Sequence, residues 1–254
     1  MDLGLRGKRA LVTGSTKGIC RRVVNLLVAE GADVAICARS PEEVEKAVKE
    51  LKREADGKVV GRAVNVRKAE DYVKWIDDMA EELGGIDIFI PGVSAGGGMD
   101  SDRNWVNAFE VDVMGTVRGC EAVIPHMKKA GGGAITLIST TAAVETFMVP
   151  QAYNAMKAAL ITYAKQLGQF VGGDNIRVNT VSPGPIYFEG GAWEMIKGVM
   201  EGVYTQTLKT HPSGRMGTPE EVANCIAFLS SPAASWVNGT NLIVDGGYTK
   251  RVQF

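Results

Sequence analysis

Short apolar runs and amphipathic stretches alternate along almost the whole chain. Arg9-Ala10-Leu11-Val12-Thr13 reads as a strand, Gly14 to Cys20 as a glycine-bearing turn, and residues 21–30 as an amphipathic helix that Gly31 closes. Asp33-Val34-Ala35-Ile36-Cys37-Ala38 is a second buried strand. Pro41 suits the first turn of a helix, which the Glu/Lys-rich residues 42–55 continue. The unit recurs as strand 59–66 with helix 69–83, strand 85–90 with a helix over much of 102–127, and strand 134–139 with a helix running to about residue 168. Strands at 176–181 and 241–245 complete a set of seven. Apolar strands alternating with helices predict a parallel sheet covered on both faces. The expected architecture is a single doubly wound α/β domain over residues 1–254.

The pattern breaks between residue 186 and about residue 210, where Tyr187, Phe188, Trp193, Met195, Met200 and Tyr204 accompany Gly190 and Gly191. Long insertions in compact domains are usually lids or binding loops. This one would close over an apolar substrate and exclude water. The plainer alternative is a helix packing its apolar face on the core.

Bulk properties narrow the function. The chain has 254 residues, 45% hydrophobic and 22% charged, with net charge −1, which suits one large core. Near-neutral charge without a basic block argues against nucleic acid as a partner. No apolar run approaches the roughly 18 residues of a membrane span, and residues 1–7 carry no secretory h-region. The four cysteines show no C-x-x-C pattern and are expected as free thiols of a reducing cytosol. Two histidines, far apart, are too few for a metal site or a Ser-His-Asp triad, so no metal is expected.

Candidate chemistry gathers at the predicted strand ends. Gly14, Ser15, Lys17, Gly18 and Ile19 lie between a strand and a helix start, where unpaired N–H groups and the helix dipole favour a phosphate and glycine permits close backbone approach. In dinucleotide-binding folds an acidic residue after the second strand holds the adenosine ribose, whereas an arginine accommodates a 2′-phosphate. Arg39 stands there, with Lys17 as a second cation, so NADP(H) is the expected cofactor. The loop 91–98, Ser139-Thr140 and Pro183-Gly184 also fall at strand ends, where ligands of such sheets bind. Tyr153 and Lys157 are one helical turn apart and share a helix face. Ionising an ordinary tyrosine at pH 7 costs roughly 4 kcal/mol, and a fixed ammonium can supply part of that, fitting the pair for proton exchange. Taken alone the spacing is also that of an ordinary amphipathic helix.

Five motifs in order resemble the short-chain dehydrogenase/reductase family, of the 3-oxoacyl-reductase-like type, over essentially the whole chain. They are Thr13-Gly14-x-x-x-Gly18-Ile19-Cys20, Asn65-Val66, Tyr153-x-x-x-Lys157, Pro183-Gly184-x-Ile186 and the segment Gly239 to Gly247. The resemblance implies a Rossmann fold and a homotetramer or dimer acting on a small carbonyl or alcohol substrate in the cytoplasm. Tyr153 would be the general acid/base, and Lys157 would favour its ionisation and hold the nicotinamide ribose. Thr140, with Ser139 as substitute, would polarise the substrate oxygen while hydride moves between nicotinamide and the carbinol carbon. Asn65, Val66, Gly92, Pro183, Gly184 and Ile186 would contact the cofactor.

Several positions depart from that pattern. Cys20 replaces a third glycine, so the cofactor turn is expected slightly wider. Pro91-Gly92-Val93-Ser94 replaces NNAG, and Pro91 cannot donate a backbone hydrogen bond. Phe188 stands where a threonine commonly touches the cofactor. Asp112 occupies the place of the relay asparagine and could pair with Lys157, stabilising its charge while weakening its pull on Tyr153. These departures motivate a second reading, a nucleotide-binding scaffold or sensor with little turnover.

Overall fold

Seven strands form one parallel sheet in the order β3-β2-β1-β4-β5-β6-β7. β1 (Arg9–Thr13) lies between β2 (Asp33–Ala38) and β4 (Ile88–Ile90). β3 (Val59–Ala63) forms one edge, while β5 (Gly133–Ile138), β6 (Ile176–Pro183) and β7 (Asn241–Val244) extend the other. Strand order reverses between β1 and β4, which opens a crevice at their carboxyl ends. The structure is a computed structural model and describes residues 2–98, 101–147 and 149–252.

The helices divide between the two faces as the apolar periodicity demands. α1 (Gly18–Ala29), α2 (Pro41–Leu51) and, late in the chain, α9 (Pro219–Ser230) bury their apolar stripes with Val12, Ile36 and Ile90 in one core. α3 (Ala69–Leu83), α5 (Gly115–Lys129) and α6 (Ala152–Val171) enclose a second core around Leu11, Phe89 and Ile135. Alternate residues of one strand thus enter opposite cores, the consequence of a two-residue repeat in a sheet buried on both sides. Among the described residues no helix is long and apolar enough to cross a membrane.

Three expectations need correction. The helix expected over 102–127 is broken: α4 (Asp102–Ala108) passes into a π-helical segment, Phe109–Met114, before α5 begins. Such π-segments are often found at functional sites, and this one carries Asp112. The strand expected over 85–90 begins only at Ile88, because Gly84 and Gly85 adopt φ of 80° and 139° to end α3 and turn the chain. β3 ends at Ala63, short of Asn65-Val66. One element escaped the sequence reading: α9 opens with a reciprocal capping box between Thr218 and Glu221 and has proline at its first turn. That Thr-Pro-x-Glu pattern is a recognisable helix start.

Candidate active site

The glycine turn is shaped from within. Gly14 and Gly18 have φ of 65° and 63°, a region glycine enters without strain. A Cβ on Gly14 would lie 3.0 Å from Gly92 O, so β1 and the loop after β4 approach as backbones only. Ser15 is fully buried and its hydroxyl donates to Val12 O at 2.8 Å. Its side chain therefore holds the turn and does not face the crevice. α1 begins at Gly18 with no side-chain cap from Lys17, leaving its first N–H groups for a ligand or solvent. Cys20 is accommodated across the crevice: its Sγ lies 2.0 Å from where a Cβ on Gly92 would stand. The extra volume expected to widen the turn is taken up by that missing Cβ. Burial pushes the Cys20 thiol up to about 12 despite an opposing pull from Lys157, so it serves as an apolar filler.

Beyond the turn, Arg39 is exposed at the end of β2 and lines a cleft of about 370 Å³ with Asn65, Lys68 and Trp75. Trp75 Nε1 is buried without a hydrogen-bond partner among the described residues. A cradle of glycines, free helix-end N–H groups and cations fits a phosphorylated dinucleotide. Asn65 is drawn locally into the backbone turn, its Oδ1 accepting from Arg67 N at 3.1 Å. Val66 packs against Gly115, whose added Cβ would meet Val66 Cγ2 at 3.1 Å. On the far side of the crevice, Gly184 N donates to Val244 O at 3.0 Å, and Ile186 forms a parallel bridge with Gly217. That places Pro183, Gly184 and Ile186 as a fixed wall.

Tyr153 and Lys157 occupy the first two turns of α6. Lys157 is buried, and its Nζ donates to Ile138 O at 2.9 Å and lies 5.8 Å from the Tyr153 ring centroid. Asp112, fully buried, places Oδ1 3.1 Å from the same Nζ. This contact is an ion pair and not a directed hydrogen bond, since Oδ1 has no hydrogen-bond partner among the described residues. Oδ2 accepts from Ala95 N at 2.9 Å. The carboxylate thus ties the loop after β4 to the π-helical segment. Ser139 and Thr140 follow β5 but differ in engagement. Ser139 is buried and donates to Lys157 O at 2.8 Å, whereas Thr140 Oγ1 accepts from Ala142 N at 3.3 Å and keeps its proton for another acceptor.

The segment after β6 is helical: α7 (Ala192–Val199) and α8 (Glu201–Thr210) follow a Glu-Gly-Gly turn. Lys197 Nζ sits 5.7 Å from the Tyr187 ring and 5.5 Å from that of Tyr204, joining both helices to the end of β6. Phe188 packs over the cofactor turn, with its ring 2.9 Å from where a Cβ on Gly18 would be. Trp193 meets Phe147 of the β5–α6 loop, ring centroids 5.9 Å apart. Phe147 was not singled out in the sequence, since nothing in a lone loop aromatic names its partner.

Known proteins resemble this chain in sequence and in fold. A family model described as enoyl-(acyl carrier protein) reductase matches residues 14–249. Isoepoxydon dehydrogenase patN of Penicillium expansum is 37% identical over 258 residues, covering 100% of this chain and 99% of that protein. The 3-oxoacyl-[acyl-carrier-protein] reductase FabG of Chlamydia muridarum is 33% identical over 253 residues, 97% of this chain and 99% of its own. L-Sorbose reductase from Gluconobacter frateurii, solved in complex with NADPH and L-sorbose, superposes with a TM-score of 0.91 at 32% identity over 99% of this chain and 100% of that one.

Proposed function

The chain belongs to the short-chain dehydrogenase/reductase family, and on that footing we propose that it is an NADP(H)-dependent oxidoreductase interconverting a carbonyl group and a secondary alcohol on a small, largely apolar substrate. The observation that carries the reading is a half-buried phenol, Tyr153, beside a buried ammonium held in place by Ile138 O and Asp112. Gly14, Gly18 and Ile19 would receive the pyrophosphate at the start of α1, while Arg39 and Lys17 would take the 2′-phosphate. Asn65 and Val66 would border the adenine, and Gly92, Pro183, Gly184 and Ile186 the nicotinamide half. Once bound, the nicotinamide supplies or accepts the hydride. Tyr153 gives the proton to the carbonyl oxygen, or takes it from the alcohol. Thr140 donates a second hydrogen bond to that oxygen, because Ser139 is already committed to the backbone. Lys157 sets its ammonium beside the phenol and has N–H capacity beyond Ile138 O for the ribose. The lid excludes water from these groups.

Preference for NADP(H) is supported by Arg39 and Lys68 at the β2 and β3 ends, and by the NADPH bound in L-sorbose reductase. A cytoplasmic setting accords with four free thiols. Self-association into a tetramer is supported by the exposed apolar residues Val106 and Phe109, and sedimentation as a single chain would count against it.

Tyr153→Phe should lower NADPH-linked ketone reduction by about 10²–10⁴-fold while leaving NADPH binding intact. An unchanged rate in that variant would sink the mechanism. The scaffold reading is favoured by one observation, the Asp112 carboxylate 3.1 Å from the ammonium meant to act on Tyr153. It requires tight NADPH binding with no cofactor oxidation across a ketone panel.

A further inference from the structure

We propose that Phe147 and Trp193 set the substrate size, closing the cleft over Tyr153 so that compact, ring-sized carbonyl compounds are taken and long-chain ones excluded. The proposal rests on the oxidoreductase reading above and narrows its substrate class.

The two residues stand on arms that rise from neighbouring strand ends. β5 and β6 are adjacent in the sheet. The loop after β5 carries Thr140 and then Phe147 before reaching Tyr153, and the chain after β6 carries Gly184 to Ile186 and then α7. The Phe147 arm is fixed. Asn154 Nδ2, next to Tyr153, donates to Phe147 O at 3.5 Å. Glu145 Oε2 accepts from Lys250 N at 3.0 Å and Val144 O accepts from Arg251 Nη1 at 3.1 Å. The strap that supplies those donors is itself held by Asp245 Oδ2, which accepts from Thr249 N at 2.9 Å. The Trp193 arm begins after Gly190, with φ of 73°, and Gly191, and Gly190 N donates to Glu194 Oε2 at 2.7 Å across its first turn.

Across the gap the rings meet at 5.9 Å between centroids, tilted by 54°, a favourable aromatic contact. An alkyl chain passing between two rings needs about 3.5–4.0 Å on each side, holding them roughly 7–8 Å apart. The observed spacing leaves no such passage. A substrate that ends beneath the pair is enclosed, whereas one that must thread between them breaks the contact.

The test uses the full chain with NADPH and two probes, cyclohexanone and 2-dodecanone, on the wild type, Phe147→Ala and Trp193→Ala. Wild type should favour cyclohexanone by about tenfold or more in kcat/KM. Each variant should narrow that ratio at least about tenfold through KM for 2-dodecanone, with KM for NADPH unmoved. Equal wild-type efficiency on both probes, or equal losses on both in the variants, would overturn the proposal. A wild type that binds NADPH and reduces neither probe would also overturn the size assignment, while the oxidoreductase reading is judged separately, by cofactor oxidation across the wider ketone panel.

Discussion

Asp112 does two jobs with one carboxylate, and different substitutions separate them. Asp112→Ala leaves a buried ammonium without its counter-charge and Ala95 N without its acceptor, and removing one partner of a buried pair costs about 3–5 kcal/mol. Chemical denaturation should register that loss. Asp112→Asn keeps an oxygen for Ala95 N and removes only the charge. It should therefore keep most of the stability that Asp112→Ala loses, and an equal loss in both variants would mean that the counter-charge to Lys157, not the tie to Ala95 N, is what the fold needs. At this scale the sequence was legible where chemistry follows helical spacing: Tyr153 and Lys157 are neighbours because residues four apart share a face. It was silent where the outcome depends on which way a hydroxyl turns. Ser139 and Thr140 are adjacent hydroxyl residues, and only their hydrogen bonds separate a structural one from one free to act. The inward turn of Ser15 is a second instance. Cys20 and Gly92 are a third, two unusual residues that make sense only once their 72-position separation collapses into contact.

Elements were legible in proportion to their periodicity. β1, β2 and α3 lie within the bounds their patterns predict, since each is a clean strand or helix repeat between strong breakers. The π-segment was not legible, because its bulge answers to Asp112, the loop at Ala95 and Lys157, not to local propensity. α9 carried readable punctuation and can be tested through it. Thr218 Oγ1 accepts from Glu221 N at 3.4 Å while Glu221 Oε2 accepts from Thr218 N at 2.8 Å. Thr218→Ala should cost about 1 kcal/mol, measurable by denaturant unfolding. The hydrogen bond from Arg215, followed by that from Thr218 N, holds the Glu221 carboxyl down to about 2 from 4.5. A value depressed by folding contributes stability that is fully present above about pH 4.5 and lost as pH falls toward about 2. The pair is largely exposed, so the effect is at most about 1 kcal/mol. Glu221→Gln should flatten the stability profile in that window, and an equally steep acid loss in the variant would assign it to other carboxylates.

For the whole molecule, the decisive feature is the order of strands. Placing β1 beside both β2 and β4 brings the turn at Gly14, the cation Arg39 and the loop at Gly92 to one crevice, although 78 positions separate the first from the last. Alternating strand and helix patterns foretell a parallel sheet, and the glycine turn foretells where a phosphate sits. What they leave open is how much of the cofactor the fold grips, because that depends on contacts from β2, β3 and α3 together. A ligand that binds only the folded chain raises its stability by about 2.7 kcal/mol at one hundred times its Kd. For a domain of this size that corresponds to roughly 5–10 °C in Tm. NADPH and NADH differ only in the 2′-phosphate, so at equal concentration any difference between their shifts reports that group alone. With Arg39 exposed beside Lys68 at the cleft rim, NADPH should raise Tm by several degrees more than NADH. Arg39→Ala should bring the NADPH shift toward that of NADH while leaving the ligand-free Tm in place, since Arg39 is a surface residue outside both cores. Equal shifts for the two cofactors in the wild-type chain would remove the 2′-phosphate from the recognition, and with it the role of Arg39.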